Sequence, residues 1–336
     1  MPPKKHTSTS KEENKAASNK EVKDQPEDAV EDKEDVGSKR KPDEKTEEPP
    51  QKKEKTSAVG EDIVKDKSES VDESKKAHSL EKGHIYFFYR PKVDADEVGS
   101  IDDVQKAYMI LKPYWSSDAK RSPTLIVLGK KKLPQVEQHA RYWGFVGKTS
   151  SNIDDVVGAL KESTYSTKTK GERTIQAARP MGEGVYTITS HNGHSHLAYI
   201  LTLPEEPTKV QDAFNIEKQA SIVLNVKNPK KSSPPGSGLS GNEKAEFPDK
   251  LQKAFSDRRF VAMETTDFLN YDYCELVMIG ATEDLDKELG KTAKDLEKME
   301  EKDEDHVDYV GVDKVVFKDL HLEADQNPVA PLKEWK

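Results

Sequence analysis

The chain has 336 residues, of which 35% are charged, and its 54 Lys+Arg against 63 Asp+Glu give a net charge of −9. The charge is uneven: residues 1–80 hold 18 Lys+Arg and 21 Asp+Glu, residues 81–281 hold 27 and 25, and residues 282–336 hold 9 and 17. A near-neutral body disfavours a large nucleic-acid footprint, because such a footprint is typical of a strongly basic domain. The single cysteine, Cys274, excludes an internal disulfide, and no apolar run approaches the ~20 residues of a membrane span. We therefore expect a soluble intracellular protein with no membrane contact.

The first 80 residues form a charged arm that contains no Phe, Trp or Tyr. Such a composition cannot bury enough apolar surface to offset the entropy of ordering, so the sequence predicts a disordered arm over 1–80. Two basic clusters lie in it, ten residues apart. They are Lys39, Arg40 and Lys41, and then Lys52, Lys53 and Lys55. Paired clusters on an exposed arm are typical of a nuclear import signal, and the alternative is a lysine-rich solvated linker.

Residues 81–281 form the body, in which aromatic and β-branched residues recur at strand and helix spacing. Ser100 is a plausible cap for a short helix at 101–106, and 107–111 either completes that helix or forms a strand. Asn152 caps a second helix, 153–160. Two further helices are predicted at 207–216 and 248–257. Strands are predicted at 83–90, 124–129, 221–226, 259–264 and 275–280.

The most distinctive local pattern is a hairpin around Asn192-Gly193, which separates the alternating runs 185–191 and 194–201. Asn-Gly favours a two-residue hairpin turn because both turn residues need positive φ. The register follows, with Val185 opposite Ile200. It places three histidines on one face, where they could hold a divalent metal ion, although an exposed polar turn is the favoured explanation. These candidate ligands are His191, His194 and His196.

Two segments of the body have similar sequences. Val104-Gln105-Lys106-Ala107-Tyr108 resembles Leu251-Gln252-Lys253-Ala254-Phe255, and each precedes a similar strand, Leu125–Gly129 or Leu276–Gly280. This similarity predicts a duplicated β-α-β-β unit over 83–130 and 220–281, within an α+β fold. The continuous apolar runs predict that both strands are buried on both faces.

Residues 282–336 form a charged tail. Thr282 is predicted to cap a helix that runs through Glu301, and its apolar stripe is narrow while the opposite face is charged. We expect this helix to pack on its own body, and a partner-binding helix is the alternative. The stretch 307–322 is expected to dock back on the body through Tyr309, Val315, Val316 and Phe317.

Two weaker patterns bear on ligands. A basic and aromatic surface could bind single-stranded nucleic acid, although a solvated face with Trp143 in the core is favoured. Its candidates are Lys168, Lys170, Arg173, Arg179 and Trp143. The run Gly236–Gly241 matches G-x-G-x-x-G, but its Pro- and Ser-rich surroundings favour a flexible loop over a dinucleotide site.

Five blocks of sequence resemble a known protein family with fungal and bacterial members. They are Ile85–Val93, Asp102–Gln105, Tyr142–Val146, Ala177–Pro180 and His194–Tyr199. Fungal members of this uncharacterised family often carry the automatic label "BTB domain transcription factor". The resemblance covers about 83–281 and implies an intracellular protein of a fungal cell, with no established activity, cofactor or catalytic residue.

The sequence contains no recognisable catalytic motif. It favours a non-enzymatic nuclear interaction protein, whose α+β body carries charged segments that recruit protein partners through the arm or the tail. The alternative is a cytoplasmic metal- or small-molecule-binding protein, or an enzyme, that uses the face of His191, His194 and His196. No cofactor is expected apart from a divalent metal at that face.

Overall fold

The computed structural model describes residues 78–95, 97–114, 121–136, 138–169, 171–191, 193–239, 241–310, 315–322 and 335. The predicted arm therefore lies outside the described residues except for His78–Leu80, which belong to the first strand. The six candidate import residues of the arm also lie outside them.

Strands dominate the described part of the chain. They are β1 (His78–Pro91), β2 (Val104–Pro113), β3 (Thr124–Leu128), β4 (Arg141–Thr149), β5 (Ser163–Thr167), β6 (Gly171–Ile175), β7 (Arg179–His191), β8 (His194–Leu203), β9 (Gln219–Lys227), β10 (Phe260–Ala262) and β11 (Glu275–Thr282). The helices are α1 (Ile153–Val157), α2 (Lys209–Ala213), α3 (Asp249–Ala254), α4 (Leu285–Leu289), α5 (Lys291–Val310) and α6 (Val315–Asp319), with 3₁₀ turns at Ile101–Asp103, Gly158–Leu160 and Thr266–Asn270. The α+β prediction is confirmed at this level.

Eight strands close into an antiparallel barrel. The sheet order is β10-β9-β11-β4-β3-β2-β1-β7-β8, and pairing of β8 with β9 closes the ring, while β10 extends β9 outside it. The last strand, β11, lies between β4 and β9 and pairs with both. Closure leaves these eight strands without a free edge along the ring. Strands β5 and β6 form a separate two-stranded sheet.

Side chains fill the barrel. Strand residues alternate between the two faces, so Ile85, Phe87 and Tyr89 belong to the interior cluster while Tyr86 and Phe88 belong to an outer one. The interior also contains Tyr186, Tyr199, Leu224 and Met278. An eight-stranded barrel is just wide enough for side chains to fill it.

Helices cover part of the outer face. The stripe of α4 and α5, which contains Leu285, Leu289 and Leu296, packs against β7 and β8. This confirms the prediction that the C-terminal helix packs on its own body. Gly290 interrupts that helix, and the cap of α4 is Asp284 rather than the predicted Thr282.

The predicted return of the chain end is confirmed in part. Val307, Val316, Leu320 and Leu322 are buried against the outer face of β1 and β2. The side chains of Tyr309, Val315 and Phe317 lie outside the described part of the structure.

The predicted hairpin is confirmed in its register. Val185 pairs with Ile200, and His191 pairs with His194. Gly193 has φ +76°, and no atom lies within 4 Å of where a Cβ would be placed. Glycine is therefore favoured at this turn by the positive φ and not by a lack of space.

The predicted duplication is wrong. Ser100 caps only one 3₁₀ turn, and 104–108 continues as strand β2, whereas 251–255 forms helix α3 and its C-cap. Residues 104–108 form a strand because β2 lies between β1 and β3 in the barrel. In this position Met109 and Ile110 point to opposite faces, and both are buried. The first segment is a meander, while in the second β9 lies between β10 and β11, so the topologies differ.

The predicted burial of the two similar strands on both faces is confirmed only in part, since Val127 in β3 and Val277 in β11 are each half-buried on the outside. In β3, Leu125 lies in an outer cluster and Ile126 in the barrel interior. In β11, Leu276 and Met278 face the interior, but Val277 is half-buried on the outside. The strand partners of Val277, Trp143 and Asn225, are themselves half-buried, whereas Leu125 packs within the outer cluster.

Candidate metal centre

The three predicted histidines have different surroundings. His196 is buried, its Nδ1 lies 2.9 Å from Ser221 Oγ, and its Nε2 lies 3.4 Å from Glu288 Oε1 on α4. His194 is exposed, and the side chain of His191 lies outside the described part of the structure. The prediction of a metal on this face stays a prediction, with His196 already engaged by two protein groups.

The residues of the predicted basic and aromatic surface have different surroundings in the structure. Arg179 is buried and donates to Gln176 Oε1 at 2.9 Å, while Arg173 forms an ion pair with Asp94 at 2.7 Å. Lys168 is exposed, and Lys170 lies outside the described residues. Trp143 is on β4, half-buried and stacked on Phe145 at 6.2 Å between ring centroids. Buried Arg179 is therefore not available to a surface ligand.

A different cluster has the geometry of a metal site. One ligand atom from each of His84, Glu183 and Asp303 lies within 4.8 Å of the others. Glu183 is fully buried, the Asp303 side chain is fully buried, and the His84 side chain is 20% exposed. These residues come from β1, β7 and α5.

The barrel pairing explains how these residues meet. On β1, the outward positions include His84 and Tyr86, and Tyr86 pairs with Glu183 on β7. His84 and Glu183 are therefore diagonal neighbours on the outer face of two paired strands. Helix α5 crosses this face, and Asp303 points inward because it shares a helix face with buried Leu296 and Val307.

The polar atoms of this cluster are incompletely paired. Both carboxylate oxygens of Glu183 are buried without a hydrogen-bond partner in the described structure. His84 Nδ1 and Asp303 Oδ1 lie 3.0 Å apart, yet their geometry is not that of a hydrogen bond. The other oxygen of Asp303, Oδ2, accepts from Thr202 Oγ1 at 2.7 Å. Buried polar atoms are nearly always paired, so the two Glu183 oxygens, beside a His84–Asp303 ion-pair contact without hydrogen-bond geometry, call for an explanation.

The surrounding charge is predominantly negative. Burial, and then the nearby Asp303 and Asp319 carboxylates, raise the pKa of Glu183 well above its usual value, while Lys112 opposes the shift. Burial and then Glu183 likewise raise the pKa of Tyr86. Lys112 Nζ donates to the Asp319 backbone oxygen at 2.7 Å, which holds its charge beside the cluster. Either a proton on Glu183 or a bound cation relieves this repulsion.

The ligand set suits a divalent transition-metal ion. Imidazole with carboxylates is a common donor combination for Zn²⁺, while carboxylates also suit Mn²⁺. Thr202 would orient the Asp303 ligand, as outer hydrogen bonds do in many metal sites. Three protein ligands would leave further coordination positions for water or a ligand.

A second buried polar cluster lies at one end of the barrel and has its bonds satisfied. Arg121 Nε donates to Glu81 Oε2 at 2.7 Å, and Tyr186 Oη donates to Glu81 Oε1 at 2.6 Å. Arg121 also donates to Asn270 Oδ1 at 2.8 Å. Since each charged group has direct partners, this cluster is structural in character.

The sequence missed the candidate metal centre because its ligands are far apart along the chain. Only the Asp303 position carried a signal: it lies seven residues after Leu296 and four before Val307, on the apolar stripe of α5. An acid on such a stripe is unusual, since buried carboxylates require partners.

Comparison of the chain with protein-family models, curated proteins and solved structures finds no match. The resemblance to the family with fungal and bacterial members therefore stays a prediction. Among the described residues, no helix has the length and apolar character needed to cross a membrane.

Proposed function

We propose that this protein binds one divalent transition-metal ion through His84, Glu183 and Asp303, and that the ion fastens helix α5 to the barrel. The observation that carries the proposal is the Glu183 carboxylate, which is fully buried and has no hydrogen-bond partner in the described structure. A buried carboxylate costs several kcal/mol unless it is neutralised or paired. A metal ion would bind Glu183 together with His84 Nδ1 and Asp303 Oδ1, which form an ion-pair contact but no hydrogen bond with each other.

The position of the ligands supports a structural effect of the metal. Two ligands are on strands, and the third is on α5, so binding would link the strands to a helix whose ligand, Asp303, lies 120 residues after Glu183 along the chain. Metal binding of this kind adds directly to the free energy of unfolding. The His84 side chain, which is 20% exposed, provides a route for the ion.

Metal content tests the proposal. The purified protein is stripped with a chelator, exposed to Zn²⁺ or Mn²⁺, dialysed, and analysed by inductively coupled plasma mass spectrometry. We expect one ion per chain in the wild type, and loss of that ion in His84→Ala and Glu183→Gln. The matched control is His194→Ala, because His194 is an exposed histidine on a neighbouring strand of the same barrel.

Two results would contradict the proposal: a wild-type protein that retains no metal, or equal metal content in the wild type and Glu183→Gln. Loss of metal in His194→Ala, with retention in His84→Ala, would instead favour the histidine face predicted from the sequence.

The nuclear interaction function predicted from the arm and tail is a separate proposal. It depends on residues such as Lys39 and Lys52, which lie outside the described residues. A metal-fastened α5 is compatible with it, because the helix would present a stable charged outer face to a protein partner.

A further inference from the structure

We propose that a second site, lined by lysines and closed by the glycine-containing loop, binds a free mononucleotide. The loop, of which residues 228–239 and 241–247 are described, follows β9 and folds against β11, where it encloses a pocket of about 330 Å³. Its strands differ from those that carry His84 and Glu183, so the proposal is independent of the metal. The volume is at the lower end of the range for small-molecule sites.

The charge of the pocket favours an anion. Four lysines and one glutamate, Glu275, line it. Lys227 is buried and forms an ion pair with Glu275 at 2.6 Å. Lys230 and Lys244 are exposed, and neither forms an ion pair within the described structure. The charges of Lys227 and Glu275 cancel, whereas those of Lys230 and Lys244 do not. The pocket is therefore positively charged, which suits a phosphate group.

Hydrogen bonds hold the beginning of the loop in place. Asn228 Oδ1 accepts from the Lys230 backbone N–H and from Gln252 Nε2, both at 3.0 Å. Asn228 Nδ2 donates to the Arg258 backbone oxygen at 3.0 Å. One buried amide therefore fixes the backbone that carries Lys230, which lowers the cost of ordering the site on binding.

The glycines give the loop its close packing. Gly238 has φ +81°, and a Cβ there would lie 2.2 Å from Ser233 Oγ. The next residue, Leu239, donates its N–H to Glu275 Oε1 at 2.7 Å. The loop is therefore anchored to β11, although no helix begins at its last glycine, and α3 starts only at Asp249. This arrangement differs from a dinucleotide-binding turn, so lysines rather than a helix terminus would hold the phosphate.

Tyr273 supplies an aromatic surface at the pocket. It lines the pocket and is 42% exposed, and its φ of +65° is unusual for a bulky side chain. Its backbone N–H donates to Val146 O at 2.8 Å, which holds this conformation. Backbone strain of this kind is concentrated at functional sites. An exposed ring beside lysines is suited to stacking on a nucleobase while the lysines contact the phosphate.

Isothermal titration calorimetry with AMP, ribose 5-phosphate, adenosine and inorganic phosphate tests this proposal. We expect AMP to bind most tightly, because it is the only one of the four compounds with both a phosphate group and a nucleobase. The double variant Lys230→Ala/Lys244→Ala should weaken AMP binding by about tenfold or more, as expected for the loss of charge-assisted hydrogen bonds. Lys250→Ala is the matched control, since Lys250 is an exposed lysine on α3 that does not line the pocket.

Tyr273 gives a second and independent readout. Tyr273→Gly removes the ring and also relieves the left-handed backbone, so we expect weaker AMP binding without loss of thermal stability. Inorganic phosphate binding should be unchanged in this variant, and Tyr273→Phe should bind AMP as the wild type does.

Four results would overturn the proposal. One is the absence of AMP binding at millimolar concentration, and another is an equal effect of Lys250→Ala and the double lysine variant. The third is unchanged AMP binding in Tyr273→Gly. Binding of a single-stranded oligonucleotide without binding of AMP would also count against it, because the site would then serve a polymer.

Discussion

The substitution Glu183→Gln separates the two ways in which the buried acid can be neutralised. Without metal, the raised pKa of Glu183 means that the folded protein holds a proton that the unfolded chain releases above the usual pKa of 4.5. The stability contribution of Glu183 is therefore present below pH 4.5 and is lost as the pH rises toward the raised pKa, by up to about 1.4 kcal/mol per pH unit. Glutamine carries no such proton, so this loss is absent from the variant.

Thermal unfolding followed by circular dichroism measures both effects. In chelator, Glu183→Gln should be more stable than the wild type at pH 8, and the difference should shrink toward pH 5. With metal at 100 times its Kd, the wild type should gain about 2.7 kcal/mol, or about 5–10 °C in Tm for a body of this size. The variant should gain little.

The matched control is Glu301→Gln, an exposed acid on α5, which should behave as the wild type in both conditions. The reasoning fails if metal raises the Tm of Glu183→Gln as much as that of the wild type. It also fails if the variant is less stable than the wild type in chelator at pH 8, since Glu183 would then be a paired carboxylate.

Three further outcomes are expected. Deletion of residues 1–77 should leave the Tm of the body within a few degrees but abolish nuclear accumulation of a fluorescently tagged copy; a large loss of stability or an unchanged nuclear signal would contradict this. Gly193→Val should lower the free energy of unfolding in urea by about 1–3 kcal/mol, because valine is strained at positive φ, and an unchanged midpoint would count against that strain. Arg121→Met should cost about 3–5 kcal/mol in the same assay, because Glu81 is left buried without its cation, and Arg121→Met/Glu81→Leu should recover part of that loss.

The hairpin shows which parts of this fold were predictable. Its Asn-Gly turn and the alternation in the flanking runs are short-range features, and they determined the pairing of Val185 with Ile200. The C-terminal stripe was also predictable, because Leu285 and Leu296 recur at helical spacing within one segment.

The error at β2 has a physical cause. Ser100 and Asp103 form a genuine capping box, so the local sequence does begin a helical turn. The strand that follows is favoured by its two neighbours in the barrel, and pairing with β1 and β3 depends on residues far away along the chain. Tertiary context of this kind overrides local propensity.

The candidate metal centre was unpredictable for the same reason. His84, Glu183 and Asp303 meet only once β1 has paired with β7 and α5 has packed across them. The three hairpin histidines were predicted as ligands because they are close in sequence. The structure instead engages His196 with Ser221 and Glu288.

The position of β11 bears on how the protein is made on the ribosome. Until residues 275–282 have emerged, β4 and β9 lack a common neighbour, so a growing chain with its other strands paired would be an open sheet with two unpaired edges. Unpaired edges template aggregation, and pairings between distant segments form slowly. A chain that terminates prematurely before Glu275 would keep both edges exposed. We therefore expect a chain that ends before Glu275 to aggregate more readily than the full chain, because each open edge can pair with a second copy.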